Sequence, residues 1–82
     1  MLPEIKMANA YAQENRLHEA RLLYQALYSK NNNSRAIVEG MLDVLKKQGS
    51  TAQARQLLNE FQHNATNTLD KAWAMIELEQ LK

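Results

Sequence analysis

Apolar residues recur at steps of three and four along most of the chain, and short polar breaks divide them into five runs. Leu2, Ile5, Ala8 and Ala12 share one helical face, with Met7 and Tyr11 beside them, and Pro3 suits a first helical turn. The pattern stops at "ENR" (14–16) and restarts at once with Leu17, Ala20, Leu23 or Tyr24, Leu27 and Tyr28. "SKNNNS" (29–34) is a cluster of turn and cap residues, with serines 29 and 34 placed to cap. A third run follows through Ile37, Val38, Met41, Leu42 and Leu45. Lys46 and Lys47 suit the negative end of that helix, and Gly49 supplies a left-handed cap. Ser50 and Gln53 have the spacing of a capping box and open a fourth helix through Ala54, Leu57, Leu58 and Phe61. "HNATNT" (63–68) breaks it, and a last helix runs from about Leu69 through Trp73 and Ile76 to Leu81.

Helices this short, with turns of a few residues between them, favour antiparallel neighbours. The chain also matches itself at a shift of 34 residues. Asn15 falls on Gly49, Ala20 on Ala54, Arg21 on Arg55 and Leu23 on Leu57. Ala8 falls on Leu42, Tyr11 on Leu45, Tyr24 on Leu58 and Leu27 on Phe61, and a further shift carries Leu42 onto Ile76. A period of this length is the mark of a helical repeat. The break at Asn15 is then the turn inside a helical hairpin, and Gly49 takes the same place one repeat later.

Two rows of residues carry a more specific likeness. Ala8, Tyr11, Asn15, Ala20, Tyr24 and Leu27 make the first; Leu42, Leu45, Gly49, Ala54, Leu58 and Phe61 make the second. With the stretch "NRLHEARLLYQAL", they resemble the tetratricopeptide (TPR) repeat over about residues 1–67. The sequence departs from that pattern at Asn15, where glycine is usual, and at Thr66, where proline is common. The resemblance implies an all-α, five-helix right-handed solenoid in one domain. Residues 1–33 and 34–67 are the two antiparallel hairpins, and 68–82 is a C-terminal capping helix.

The small residues have a physical reading. Ala20 and Ala54 let the two helices of a hairpin approach closely, and Tyr24 and Leu58 fill the remaining space. One hairpin cannot bury its own face, so stacking supplies the core. The last helix is apolar on more than one side, with Trp73 and Ile76 on one and Met75 and Leu78 on another. A capping helix needs one such face, so the second is either lodged in the fold or meets something else.

Composition narrows the function classes. The chain has 82 residues, 45% of them hydrophobic, with two glycines, one proline and no cysteine. That excludes a disulfide framework and any thiolate chemistry. A formal charge of +1 gives no overall pull toward nucleic acid or an anionic membrane. No apolar run approaches the roughly 20 residues of a membrane span, and "MLPEIKMANAYA" lacks the basic start of a secretory signal. His18 and His63 stand on different helices without a carboxylate at ligand spacing, and "HEAR" lacks the second histidine of a metalloprotease helix. No glycine-rich phosphate loop occurs. Two N-x-S/T triplets, at Asn32 and Asn64, fall in turns where such residues serve conformation. The chain is therefore expected to be no enzyme, and to hold neither metal nor cofactor.

What remains is recognition. The resemblance implies a concave groove lined by the first helix of each hairpin, where a protein or peptide segment lies. It assigns to that groove Ile5, Asn9, Ala12 and Gln13, then Glu39, Asp43 and Lys46, and finally Trp73 and Glu77. Chaperone-binding members clamp a terminal carboxylate with lysines, asparagines and an arginine. Here only Asn9 matches, and Ile5, Gly40, Asp70 and Ala74 occupy the other places. An acidic groove with Trp73 at one side suits a ligand with basic and apolar side chains. The runner-up is self-association, a homodimer through the C-terminal helix, or packing against further repeats of a longer array. A third reading is a dedicated chaperone for a secreted subunit. The resemblance brings with it a bacterial setting such as pilus, secretion or envelope assembly; the compartment, cytoplasmic or envelope-associated, is left open by the residues themselves.

Overall fold

The computed structural model describes residues 3–81, and among them forms five helices and no strands. These are α1 (Pro3–Gln13), α2 (Leu17–Lys30), α3 (Arg35–Lys47), α4 (Thr51–Asn64) and α5 (Thr68–Gln80). Leu2, placed by periodicity on the first helical face, lies outside the described residues.

The turn at Asn15 and the turn at Gly49 are the same structure. Both residues have left-handed backbone, φ 63° and 71°. Around each, two N–H groups close the preceding helix. Arg16 donates to the Tyr11 carbonyl at 2.8 Å and Asn15 to Ala12 at 3.1 Å; Ser50 donates to Leu45 at 2.9 Å and Gly49 to Lys46 at 3.0 Å. This is the Schellman pattern, which satisfies carbonyls that a helix end otherwise leaves free. Asparagine tolerates the left-handed region, which explains how Asn15 does the work of a glycine.

One expectation fails at the second turn. Ser50 and Gln53 do not form a capping box: Ser50 makes no side-chain cap bond, and its ψ of 63° departs from the extended backbone of an N-cap. Its N–H, which Gln53 was to accept from, already closes α3. Gln53 instead accepts from Arg21 of α2 at 2.6 Å. Ser34 makes no cap bond either. Ser29 lies inside α2, where its hydroxyl donates to the Gln25 carbonyl at 3.0 Å. Among the described residues a side-chain cap is formed at α5, where Asn67 accepts from the Asp70 N–H at 2.8 Å.

Successive helices pack on one another, and α1 also touches α3. Polar contacts join alternate helices. Arg35–Asp70 at 3.6 Å and Lys46–Glu77 at 3.5 Å link α3 with α5. Arg21–Gln53 at 2.6 Å and Tyr28–Glu60 at 3.1 Å link α2 with α4. So α1, α3 and α5 form one layer and α2 and α4 the other. The thinnest extent, 16 Å between Cα atoms, is that of two helical layers, whose axes ordinarily stand about 8–10 Å apart.

The central helix, α3, supplies most of the core: Ile37, Val38, Met41, Leu42, Val44 and Leu45 are all buried. Ala20 and Ala54 are each fully buried, as are Tyr24, Leu58 and Phe61, and Leu27 is buried at 7% exposure. The helices that carry them, α2 and α4, are both 14 residues long and begin 34 positions apart. By contrast, Met7 is exposed rather than part of the α1 face. In α5 each predicted apolar side is split. Trp73 and Leu78 pack partly against the core beside buried Ala74, whereas Ile76 and Met75 face outward.

Candidate functional site

The layer of α1, α3 and α5 carries two hollows that meet at Asp43. The first, about 210 Å³, lies between α1 and α3, with Asn9, Ala12 and Gln13 on one wall and Asp43 and Lys47 on the other. Tyr24 and Gly40 complete its lining. The second, also about 210 Å³, lies between α3 and α5 and is lined by Glu39, Leu42, Asp43, Lys46, Trp73 and Glu77. Eight of the nine residues expected to share a groove therefore do line this side. The exception is Ile5, which is 6% exposed and belongs to the core with Ala8. It is the one large side chain that α1 buries, and burial of that apolar area outweighs display to a ligand.

The carboxylates on this side are not free. Every carboxylate has a cation at hand: Glu39 pairs with Arg35 at 2.6 Å, Asp43 with Lys47 at 3.2 Å and Glu77 with Lys46 at 3.5 Å. The two hollows are lined by three carboxylates and two lysines, so they keep an acidic excess although each carboxylate is paired. These pairs are largely exposed, and such pairs are worth roughly 0–1 kcal/mol, so an incoming charge can exchange with either member. Lys46 and Lys47 are the groups most easily displaced, because long ammonium side chains lose little by swinging into water.

Trp73 has two roles. Its ring meets Phe61 edge to face, with centroids 5.8 Å apart at 80°. The Arg35 guanidinium stands 4.8 Å from its centroid. Trp73 is thus anchored on α4 by one contact and held by α3 through the other, while still lining the second hollow. Arg35 touches Glu39, Asp70 and Trp73 together. Sequence reading missed Arg35, since nothing in the repeat pattern sets a residue at the start of α3 beside one in the middle of α5.

Asn9 is already engaged. Its Oδ1 accepts from the Tyr24 hydroxyl, which reaches it from α2. Burial pushes the Tyr24 phenol above its ordinary value of 10.0, and the charge on Asp43 adds to that. Tyr24 therefore stays neutral and donating across the physiological range.

A third hollow, about 220 Å³, opens where α2 and α4 adjoin α3. Arg21 spans it, donating to Gln48 at 3.2 Å and Gln53 at 2.6 Å. Nothing was expected there, although Arg21, Gln25 and Tyr28 recur at helical spacing on one face of α2. His18 and His63 are both exposed. Among the described residues no group of three His, Asp or Glu side chains is placed to hold a metal ion, and no helix is long and apolar enough to cross a membrane.

Compared with protein-family models, characterised proteins and solved structures, the chain finds no match in any of the three.

Proposed function

We propose that this chain is a non-catalytic adaptor that holds an extended peptide or protein segment along the side formed by α1, α3 and α5. In this reading it is a TPR-like solenoid, with hairpins at 1–33 and 34–67 and a capping helix at 68–82. Carrying the proposal is the junction at Asp43, where two hollows of similar size meet in a row across three helices. An extended peptide places same-face side chains about 7 Å apart, close to the roughly 8–10 Å between neighbouring helices. Alternate side chains of one ligand therefore drop into successive hollows. An apolar side chain suits the space beside Leu42 and Trp73. A lysine or arginine suits Glu39 and Asp43, displacing the weak internal pairs.

Trp73 is the sole tryptophan, so its fluorescence reports occupancy of the second hollow directly. Peptides selected from a random library should be rich in basic and apolar residues and should change Trp73 emission. Replacing Glu39→Lys with Asp43→Lys should weaken those peptides about tenfold or more, each tenfold being about 1.4 kcal/mol, with little change in thermal unfolding. Unaltered affinity in that double variant would overturn the assignment.

A further inference from the structure

The outer face of α5 is apolar and uncovered, and the internal repeat says what is missing from it. Shifting the sequence by 34 residues sets Ala72 on Val38, Met75 on Met41, Ile76 on Leu42 and Glu79 on Leu45. In α3 those four positions are all buried, and α4 packs on that helix, with Met41 and Leu45 lining a hollow together with Gln53 and Leu57. In α5 the counterparts stand in the open. Met75 is 54% exposed and Ile76 56%, Leu69 at the head of the stripe is 77% exposed, and Ala72 is exposed as well. Among the described residues no helix follows α5. The vacancy thus has the shape of a helix.

We propose that a second copy of this chain fills it, with the two α5 helices antiparallel about a dyad near Met75. The stripe is self-complementary in that arrangement. Position i of one copy meets position 150 − i of the other, so Lys71 of each lies opposite Glu79 of its partner; both are exposed in the single chain. Ala72, close to the dyad, allows near approach of the two backbones; the Ile76 side chains of the two copies flank the dyad, and Leu69 closes each end of the stripe. A net charge of only +1 keeps the mutual repulsion of the copies small. The contact is isologous and closes at two copies. A contact made by one helix from each copy is narrow, so association is expected to be weak and concentration-dependent. This surface is separate from the groove, and the proposal does not rest on peptide binding.

Sedimentation equilibrium of the intact chain from micromolar to millimolar concentration tests it. The mass should rise from 9.4 kDa toward twice that value. Leu69→Glu with Ile76→Glu should abolish the rise while the helical circular dichroism stays unchanged. Lys71→Glu should weaken association about tenfold, and adding Glu79→Lys should restore it, a rescue that loss of apolar area alone does not predict. A mass of one copy at every concentration overturns the proposal and leaves the face to a helix from elsewhere, whether of another protein or of further repeats. So does a dimer indifferent to Leu69→Glu and Ile76→Glu, or a charge reversal without rescue. Glu39→Lys with Asp43→Lys should leave the dimer intact, which separates failure here from failure of the groove.

Discussion

The ring of Tyr24 lies directly on the backbone of Gly40. A β-carbon at that glycine would sit 2.5 Å from both Cε1 and the hydroxyl oxygen of the tyrosine, closer than real contacts come. Tyr24 is 1% exposed, and its hydroxyl donates to Asn9. One side chain of α2 therefore touches α3 with its ring and α1 with its oxygen. It sets how closely the first three helices approach, and with that the depth of the first hollow. Glycine inside a helix costs about 0.8–1.0 kcal/mol relative to alanine; here the close approach of the ring explains its presence.

Gly40→Ala should destabilise the domain. The gain in helix propensity is outweighed by a collision with a ring that is itself packed on all sides, for which about 1–3 kcal/mol is the usual cost of overpacking. Urea unfolding measures it. Combining Gly40→Ala with Tyr24→Leu should cost less than the sum of the two single changes, because the shorter side chain makes room.

At Gly49 the cause is different, and so is the prediction. A β-carbon there meets open space, but the backbone has φ 71°. Gly49→Ala should cost about 1–2 kcal/mol through left-handed strain alone, and no second substitution nearby should relieve it. The equivalent site gives the reverse test. Asn15→Gly should leave stability equal or slightly raised, and Asn15→Ala should lower it.

Capping separates two residues that look alike in sequence. Asn67→Ala removes a side-chain bond to the Asp70 N–H and should cost about 0.5–2 kcal/mol, as lost N-caps do. Ser50→Ala removes no such bond and should fall within about 0.5 kcal/mol of the parent. Equal losses in thermal unfolding for both would mean that Ser50 caps after all.

Stability should fall at alkaline pH. The phenols of Tyr24 and Tyr28 are both raised above 10.0, first by burial and then by the charges of Asp43 and Glu60 respectively. The fold favours the neutral form, so this contribution is complete below pH 10 and is lost as pH rises through the raised values. Tyrosinate absorbance should show two groups titrating late, and the thermal midpoint should drop across the same window. Tyr24→Phe should remove one late group and flatten part of that drop.

The sequence went far toward the fold because its signals are local. Apolar positions at helical spacing, polar breaks and one turn glycine mark five helices, and the repeat pairs Asn15 with Gly49 before any coordinate is known. Buried Ala20 and Ala54 follow from the same pattern, since a small residue among large ones implies a close crossing. Local signals mislead where one atom has two claimants. The Ser50 N–H serves the end of α3 and so is lost to the start of α4, which the spacing of Ser50 and Gln53 does not reveal.

The candidate site was less legible. Positions on one helix face could be grouped, and Asn9, Ala12 and Gln13, like Glu39, Asp43 and Lys46, do lie on the side that the grouping implies. Ile5 went to the core because apolar area seeks burial whatever a repeat pattern assigns to it. The pairing of charges along this side was illegible for a related reason. Arg35 reaches Asp70 and Trp73, and Lys46 reaches Glu77, across more than 30 residues of chain, and such pairings exist only once α5 has settled beside α3. The periodicity of the chain thus determined which helices form and where each turns. How deep Tyr24 lies on Gly40, which charges cancel, and which face of α5 stays bare were decided by packing, because each depends on distances between helices that no single helix contains.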